Sequence, residues 1–310
     1  MKRYIAIDGG TTNTRVFLTE DEKIISSVKI PIGARKNIDG TAALKSALRD
    51  AISNLLSAVG ISESDITAVI ASGMITSEFG LINLPHLVAP AGTAELHRGI
   101  TPKSVPEVTR LEINFIPGVK TVGELEFTDM MRGEETELMG IYSPEYGECI
   151  FVLPGSHSKI IRTDGCGRIT TFSTTLTGEM LASLSEGTIL RDAVSLDCGE
   201  IDEESLFAGY EYAHAHGLNE ALFKTRILKN IFAKSPVACY SFFLGAVLAD
   251  EIDTIAKSEA KTVVIGGKKQ IKLATVSLIE HYLDKRVITL TDSEVDTSTV
   301  RGMIKIFNSK

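Results

Sequence analysis

Up to Ile30 the chain alternates apolar and polar positions in short runs. Arg3 to Ile7 reads as a strand, Thr14 to Leu18 as a second and Lys23 to Ile30 as a third. The turns between them are Asp8-Gly9-Gly10-Thr11-Thr12-Asn13 and Glu20-Asp21-Glu22, so the segment predicts an antiparallel meander. The period then changes. Leu44, Leu48, Ile52, Leu55, Leu56 and Val59 recur at helical spacing, and Gly60 stands where a C-terminal cap belongs. A short apolar strand, Thr67 to Ala71, ends in Ser72-Gly73-Met74.

The same order of elements returns in the middle of the chain. Cys149 to Leu153 predicts a strand, Pro154-Gly155-Ser156-His157-Ser158 a tight polar turn, and Lys159 to Arg162 a strand. Asp164-Gly165 is a turn, Arg168 to Ser173 another strand, and a helix begins near Gly178-Glu179. The residues of the two halves do not match well enough to make a sequence repeat, but the order of elements does match. Further on, Ser235-Pro236 opens a long helix reaching about Lys257, since proline is tolerated in a first turn. Thr262 to Ile265 is a strand that runs into Gly266-Gly267, and a helix follows from Gln270 to Leu283. The pattern predicts an α/β protein of two similar domains, residues 1–140 and 141–310.

Composition narrows the classes. The 310 residues allow two domains of ordinary size. A net charge of −8 with no Lys/Arg run argues against a nucleic-acid partner, which would need a basic face. The apolar run Tyr4 to Ile7 is too short for a signal peptide. Nothing approaches the roughly 20 apolar residues of a membrane helix. The expected location is the cytoplasm, with no membrane partner. Cys149, Cys166, Cys198 and Cys239 form no C-x-x-C pair and are expected as reduced thiols in or near the core.

The chemistry concentrates in Asp8-Gly9-Gly10-Thr11-Thr12-Asn13-Thr14-Arg15. Glycines let the backbone approach a ligand closely, and successive N–H groups in such a turn make a concave anion site. Threonine hydroxyls add donors, and an Asp at the end of the preceding strand can hold a hydrated Mg²⁺ against phosphates. Asp-Gly alone is also a favoured hairpin turn, but a plain hairpin does not require the run of hydroxyl residues after it.

At this point the sequence resembles the ASKHA superfamily, the actin, Hsp70 and sugar-kinase fold. Its first phosphate pattern, D-x-G-x-T followed by a basic residue, matches Asp8, Gly10, Thr12 and Arg15. Leu153 to Ser158 looks like its second phosphate loop, which brings in Gly155, Ser156, His157 and Ser158. Val263-Val264-Ile265-Gly266-Gly267 looks like its adenosine motif. The resemblance implies two actin-like (ribonuclease H-like) domains with mixed sheets flanked by helices. It also implies a nucleotide cleft between them, filled by ATP and Mg²⁺. His157 beside two serines does not make a hydrolase, because G-x-S-x-G is absent and a triad is defined by spatial roles. His214 and His216 do not share a helix face and are expected on the surface.

Carbohydrate kinases of the FGGY group, which this region resembles, carry a G-D-Q-type base motif shortly before the second phosphate loop. Gly133-Glu134-Glu135 stands there, with Glu134 in the base's place and Asp129 as the alternative. Glu is one methylene longer than the Asp of that pattern, and an acidic helix start would also be favoured by the helix dipole alone. Ser72-Gly73-Met74-Ile75 ends a strand, where ligands of α/β sheets bind, and resembles the S-G-Q/M segment of sugar kinases, with Glu78 nearby. Arg15 and Arg132 are cations that could face either a substrate carboxylate or the phosphates, or serve a structural ion pair.

The strings D-M-M-R-G-E-E-T-E (Asp129 to Glu137), P-G-S-H-S-K (Pro154 to Lys159) and Thr177-Gly178-Glu179 narrow the resemblance to the 2-dehydro-3-deoxygalactonokinase family, over essentially the whole length. That resemblance implies MgATP-dependent phosphorylation of the 6-hydroxyl of 2-dehydro-3-deoxy-D-galactonate in galactonate breakdown, with the small sugar acid as partner. Two other readings stand beside it. A type III pantothenate kinase opens in a similar style but has no place for the R-G-E-E-T and P-G-S-H-S-K strings. A non-catalytic actin-like nucleotide-binding module would lack the acidic group. Nothing in the sequence decides between a monomer and a homodimer.

Overall fold

The computed structural model describes residues 1–34, 40–196, 198–267 and 269–309. Its strands are β1 (Arg3–Gly9), β2 (Thr14–Glu20), β3 (Lys23–Ile30), β4 (Ala68–Gly73), β5 (Leu87–Val88), β6 (Thr101–Ser104), β7 (Glu112–Phe115), β8 (Val119–Thr121) and β9 (Asp129–Met131). They continue as β10 (Cys149–Leu153), β11 (Ser158–Thr163), β12 (Ile169–Thr175), β13 (Thr262–Ile265) and β14 (Arg286–Thr289). The helices are α1 (Ala42–Val59), α2 (Thr93–Arg98), α3 (Glu134–Ile141), α4 (Thr177–Gly187) and α5 (Glu203–His216). Then come α6 (Leu218–Asn230), α7 (Pro236–Ala256), α8 (Lys269–Tyr282) and α9 (Asp292–Asn308).

Contacts divide the chain into two compact units. The first is Met1–Gly147, Asp164–Thr171 and Ser293–Lys310; the second is Glu148–Thr163 and Phe172–Asp292. A single cut at 140/141 is therefore not how the contacts fall. The chain returns to the first unit at its end, because α9 packs on α3. Gly140 and Gly302 permit that approach, since a Cβ on either would collide with the carbonyl of Ser298 or Thr136.

The sheet of the first unit has the order β3-β2-β1-β4-β7-β6, and the sheet of the second has the order β12-β11-β10-β13-β14. In each, the first strand pairs antiparallel with the second and parallel with the strand that follows the crossover. That parallel run continues through β7 in one sheet and β14 in the other. The ribonuclease H-like arrangement is thus built twice, and the architecture is α/β with mixed sheets. A small sheet, β5-β8-β9, is added in the first unit.

Each sheet has its own core. Ile5, Ile7, Val16, Leu18, Val69 and Ala71 pack under the leucine stripe of α1, and Gly60 ends that helix in the left-handed conformation with φ 73°. In the second unit β10 is buried along its whole length, and Ile150, Val152, Val263 and Ile265 pack against Phe243, Leu244 and Val247 of α7. Ser235 caps α7 by accepting the Ala238 N–H, and Pro236 occupies the first turn. Cys149 and Cys239 are buried, but Cys166 is exposed on the β11–β12 turn, outside the core expected for it. Among the described residues no helix is long and apolar enough to cross a membrane.

Candidate active site

In the first unit the site begins where β1 and β4 end side by side. Asp8 lies opposite Arg15 on β2 and in register with Ser72 on β4, while Gly9 lies opposite Gly73. Strand ends at such a crossover are where α/β sheets bind ligands. The turn after β1 closes with the Gly10 N–H donating to the Asn13 carbonyl at 2.9 Å, and the Gly10 carbonyl accepts the Ala34 N–H at 3.1 Å. Thr14 is buried and donates to the Ile32 carbonyl at 2.8 Å, so it secures the turn, while Thr12 stays exposed. Gly73 has φ 81°, and a Cβ there would lie 2.5 Å from the Gly9 carbonyl oxygen. Only glycine lets the two strand ends meet in this way.

The β9–α3 junction comes to the same place, with a Cβ on Gly133 only 3.4 Å from the Gly73 Cα. Glu134, first in α3, accepts the Arg132 N–H through Oε2 at 3.1 Å. Burial raises the Asp8 carboxyl above its ordinary range; Arg15 opposes this and the charge of Glu134 adds to it. Glu137, one turn along α3, is pushed up to about 8 by burial, then by Glu134 and Asp8, against Arg15. Glu135 is fully buried and is likewise pushed up to about 8, by burial and then by Glu134. Its two carboxylate oxygens accept the Gly133 N–H at 2.9 and 2.8 Å.

These carboxylates make a corner short of positive charge. Arg15 is exposed, and among the described residues its side chain makes no hydrogen bond or ion pair, although its charge acts on Asp8 and Glu137. Among those residues no group of three or more His, Cys, Asp and Glu could hold a metal by itself. A hydrated Mg²⁺ needs less, since it takes one or two carboxylates and completes its shell with water and phosphate oxygens. Asp8 fits that role. The fully buried Ser72 Oγ beside it has no partner among the described residues, leaving a polar atom for a ligand shell.

Met74 is half-buried and lines a small recess together with Gly9, Gly10 and Thr14, while Glu78 is exposed. Asp129 starts β9, its Oδ1 accepting the Met130 N–H at 2.6 Å. Arg132 is neither the free cation nor the ion pair weighed for it. One guanidinium nitrogen donates to the Thr76 carbonyl and hydroxyl at 2.7 and 2.6 Å, and the other to the Leu84 carbonyl at 2.8 Å. It clamps the segment after β4. His86, 3.3 Å from it, is pushed down to about 4 by burial and then by this cation.

In the second unit the equivalent strand ends carry the equivalent turns. β10 runs into Pro154–His157 and its parallel neighbour β13 into Gly266-Gly267. The Gly266 N–H donates to the Val152 carbonyl at 3.0 Å, and a Cβ on Gly267 would lie 2.8 Å from Pro154 Cδ. Gly155, Ser156 and His157 are exposed, whereas Ser158 is buried and its Oγ has no partner among the described residues. His157 Nε2 lies 3.5 Å from Glu179 Oε1 on the exposed tip of the turn. Lys159 is buried, with Nζ 2.6 Å from the Thr174 hydroxyl.

Sequence reasoning gave no role to Glu135, Glu137 or Glu251. Glu134 and Glu137 stand three apart on α3, the spacing that puts both on one face. That spacing was a usable signal.

A twice-built ribonuclease H-like sheet with polar glycine turns after its first and crossover strands is the arrangement of the actin-like ATPase superfamily. The family model for 2-keto-3-deoxy-galactonokinase matches residues 8–306, and the chain belongs to that family. The 2-dehydro-3-deoxygalactonokinase of Escherichia coli (strain K12) is 30% identical over 275 residues, 85% of each chain. A relative of the same activity name from Rhizobium meliloti (strain 1021) is 30% identical over 194 residues, 62% of this chain and 59% of its own length. A crystal structure from Sinorhizobium meliloti assigned to the same activity covers 97% of this chain and 96% of its own, with TM-score 0.77 and 22% identity. Component A of (R)-2-hydroxyglutaryl-CoA dehydratase from Acidaminococcus fermentans shares the fold at TM-score 0.52 and 13% identity, over 98% of this chain and 97% of its own.

Proposed function

We propose that the protein transfers the terminal phosphoryl group of ATP to the 6-hydroxyl of 2-dehydro-3-deoxy-D-galactonate. The observation that carries this reading is the pair of strand-end turns that recurs in both units, after β1 and β4 and after β10 and β13. Phosphoryl transfer asks a protein mainly to position phosphates and neutralise charge, and such turns present N–H groups and hydroxyls without side-chain bulk.

In this reading Gly9, Gly10, Thr11, Thr12 and Asn13 of one unit, and Gly155, Ser156, His157 and Ser158 of the other, contact phosphates. Gly266 and Gly267 border the adenosine. Asp8 is the residue that would hold Mg²⁺, which when bound neutralises phosphate oxygens. Glu134 takes the proton from the attacking hydroxyl. Its Oε2 is anchored by the Arg132 N–H, so the side chain is oriented before substrate arrives. Asp129, at the start of β9, is the alternative; Glu134 is preferred because its charge acts directly on Asp8. Arg15 supplies the cation for the sugar-acid carboxylate, and Ser72, Gly73, Met74 and Glu78 border the sugar. We place the enzyme in the cytoplasm, where ATP is available.

The test is product identity. Incubation with MgATP and the sugar acid, followed by NMR of the product, is expected to show phosphate on O6. Phosphate on another oxygen, or none, would overturn the reading.

A further inference from the structure

The longest helix of the second unit carries a carboxylate where nothing in an ordinary core calls for one. Glu251 lies in α7 among Leu248, Ile252 and Ile255 and is fully buried. Its Oε1 accepts the Thr175 hydroxyl at 2.6 Å and also the Thr177 hydroxyl, and the two hydroxyl oxygens are 2.8 Å apart. Oε2 has no partner among the described residues. A buried carboxylate carries a desolvation penalty that well-packed apolar atoms would avoid. What it supplies instead is a directional acceptor that gathers two donors onto one oxygen.

Those donors sit at a junction. Thr175 is the last residue of β12 and Thr177 the first of α4. Immediately beyond them α4 presses on the turn that follows β10. A Cβ on Gly178 would collide with the Gly155 carbonyl and stand 2.8 Å from the Ser156 Cα, so only glycine fits. The Glu179 N–H donates to the Ser156 carbonyl at 3.1 Å, and the Glu179 carboxylate faces His157. A shift of the β12–α4 junction would therefore move Ser156 and His157 directly.

We propose that Glu251 is a positioning residue for the nucleotide. It pins the β12–α4 junction through Thr175 and Thr177, and α4 in turn fixes the Gly155–Ser158 turn where phosphates are held, without Glu251 touching the ligand. The inference rests on reading that turn as a phosphate site. Its action is on nucleotide affinity, since sub-ångström placement of ligand-contacting groups governs affinity and rate more than fold stability does.

The experiment measures ADP affinity by titration calorimetry, together with KM for ATP and for the sugar acid, on folded E251A, E251Q, T175V and T177V. E251A is expected to weaken ADP binding and raise KM for ATP by ~10-fold or more, with the sugar-acid KM within ~2-fold. E251Q keeps a carbonyl acceptor at the same place and is expected to recover most of the affinity. T175V and T177V each remove one of the two donors to Glu251; each should show part of the loss, and they carry the test should E251A fail to fold. Variants that lower thermal stability but keep the ADP affinity of the wild type would overturn the inference, leaving Glu251 a purely structural group. Ser156→Glu, which puts a negative charge in the exposed turn, separates the two levels of the argument. If it leaves ADP affinity unchanged, the phosphate reading of the turn falls and the inference with it. If it weakens binding while the Glu251 and threonine variants do not, the inference alone falls.

Discussion

Glu135 offers a way to measure the electrostatics of the α3 corner without any ligand. The side chain is fully buried, and burial together with the charge of Glu134 pushes its carboxyl up to about 8, from an ordinary value of 4.5. The folded state therefore holds this proton more tightly than the unfolded chain does. Stability from that preference is fully present below the unfolded value, declines as pH rises towards about 8, and is absent above it. At about 1.4 kcal/mol for each pH unit of the gap, the whole effect amounts to about 5 kcal/mol at most, and about 3 kcal/mol of it is gone by neutral pH. Glu135→Gln is neutral at every pH and keeps a carbonyl acceptor for the Gly133 N–H, so it lacks this dependence. Denaturant unfolding of both proteins at intervals from about pH 5 to about pH 9 should show their stability difference moving in favour of the variant by about 3 kcal/mol or more. A difference that stays constant across that range would refute the reasoning, whatever its absolute value.

Other predictions follow from the same geometry. Glu134→Gln should lower kcat by about 10²–10⁴-fold while KM for ATP changes by less than about 3-fold, whereas Asp129→Asn should keep kcat within about 3-fold; steady-state kinetics checks both. Gly73→Ala forces a side chain into positive φ with its Cβ 2.5 Å from the Gly9 carbonyl oxygen. It should destabilise the protein by about 2–4 kcal/mol in denaturant unfolding. Arg132→Lys replaces a fork that serves the Thr76 and Leu84 carbonyls at once with a single ammonium. It should lose about 1–3 kcal/mol of stability and leave the sugar-acid KM within about 3-fold; a larger KM change would return Arg132 to the substrate site.

Elements governed by local pattern were legible in the sequence. The β1–β3 meander, α1 with its Gly60 cap, β10, β13 and the Ser235-Pro236 start of α7 all follow from apolar periodicity and turn residues. The matched order of elements foretold the doubled sheet, although the residues themselves do not repeat. The small sheet β5-β8-β9 was not legible, because strands of two or three residues carry no measurable alternation. Nor was the return of α9 to the first unit, which depends on two glycines far apart in the chain, Gly140 and Gly302. The same limit applies to the site. Turn glycines and hydroxyls announce themselves locally, but Arg132 reads as a free cation until its carbonyl partners, about fifty residues upstream, are in place. Glu251 reads as a polar interruption of an apolar helix until Thr175 and Thr177 are seen against it.

The central claim is that these turns and carboxylates phosphorylate a 2-keto-3-deoxy sugar acid. It is tested most directly by ADP release from MgATP across a panel of 2-keto-3-deoxy sugar acids and common sugars. The account predicts strong stimulation by 2-dehydro-3-deoxy-D-galactonate, lost in Glu134→Gln with ADP binding intact. ADP release that responds to none of the panel would contradict it and leave a nucleotide-binding module without an acceptor.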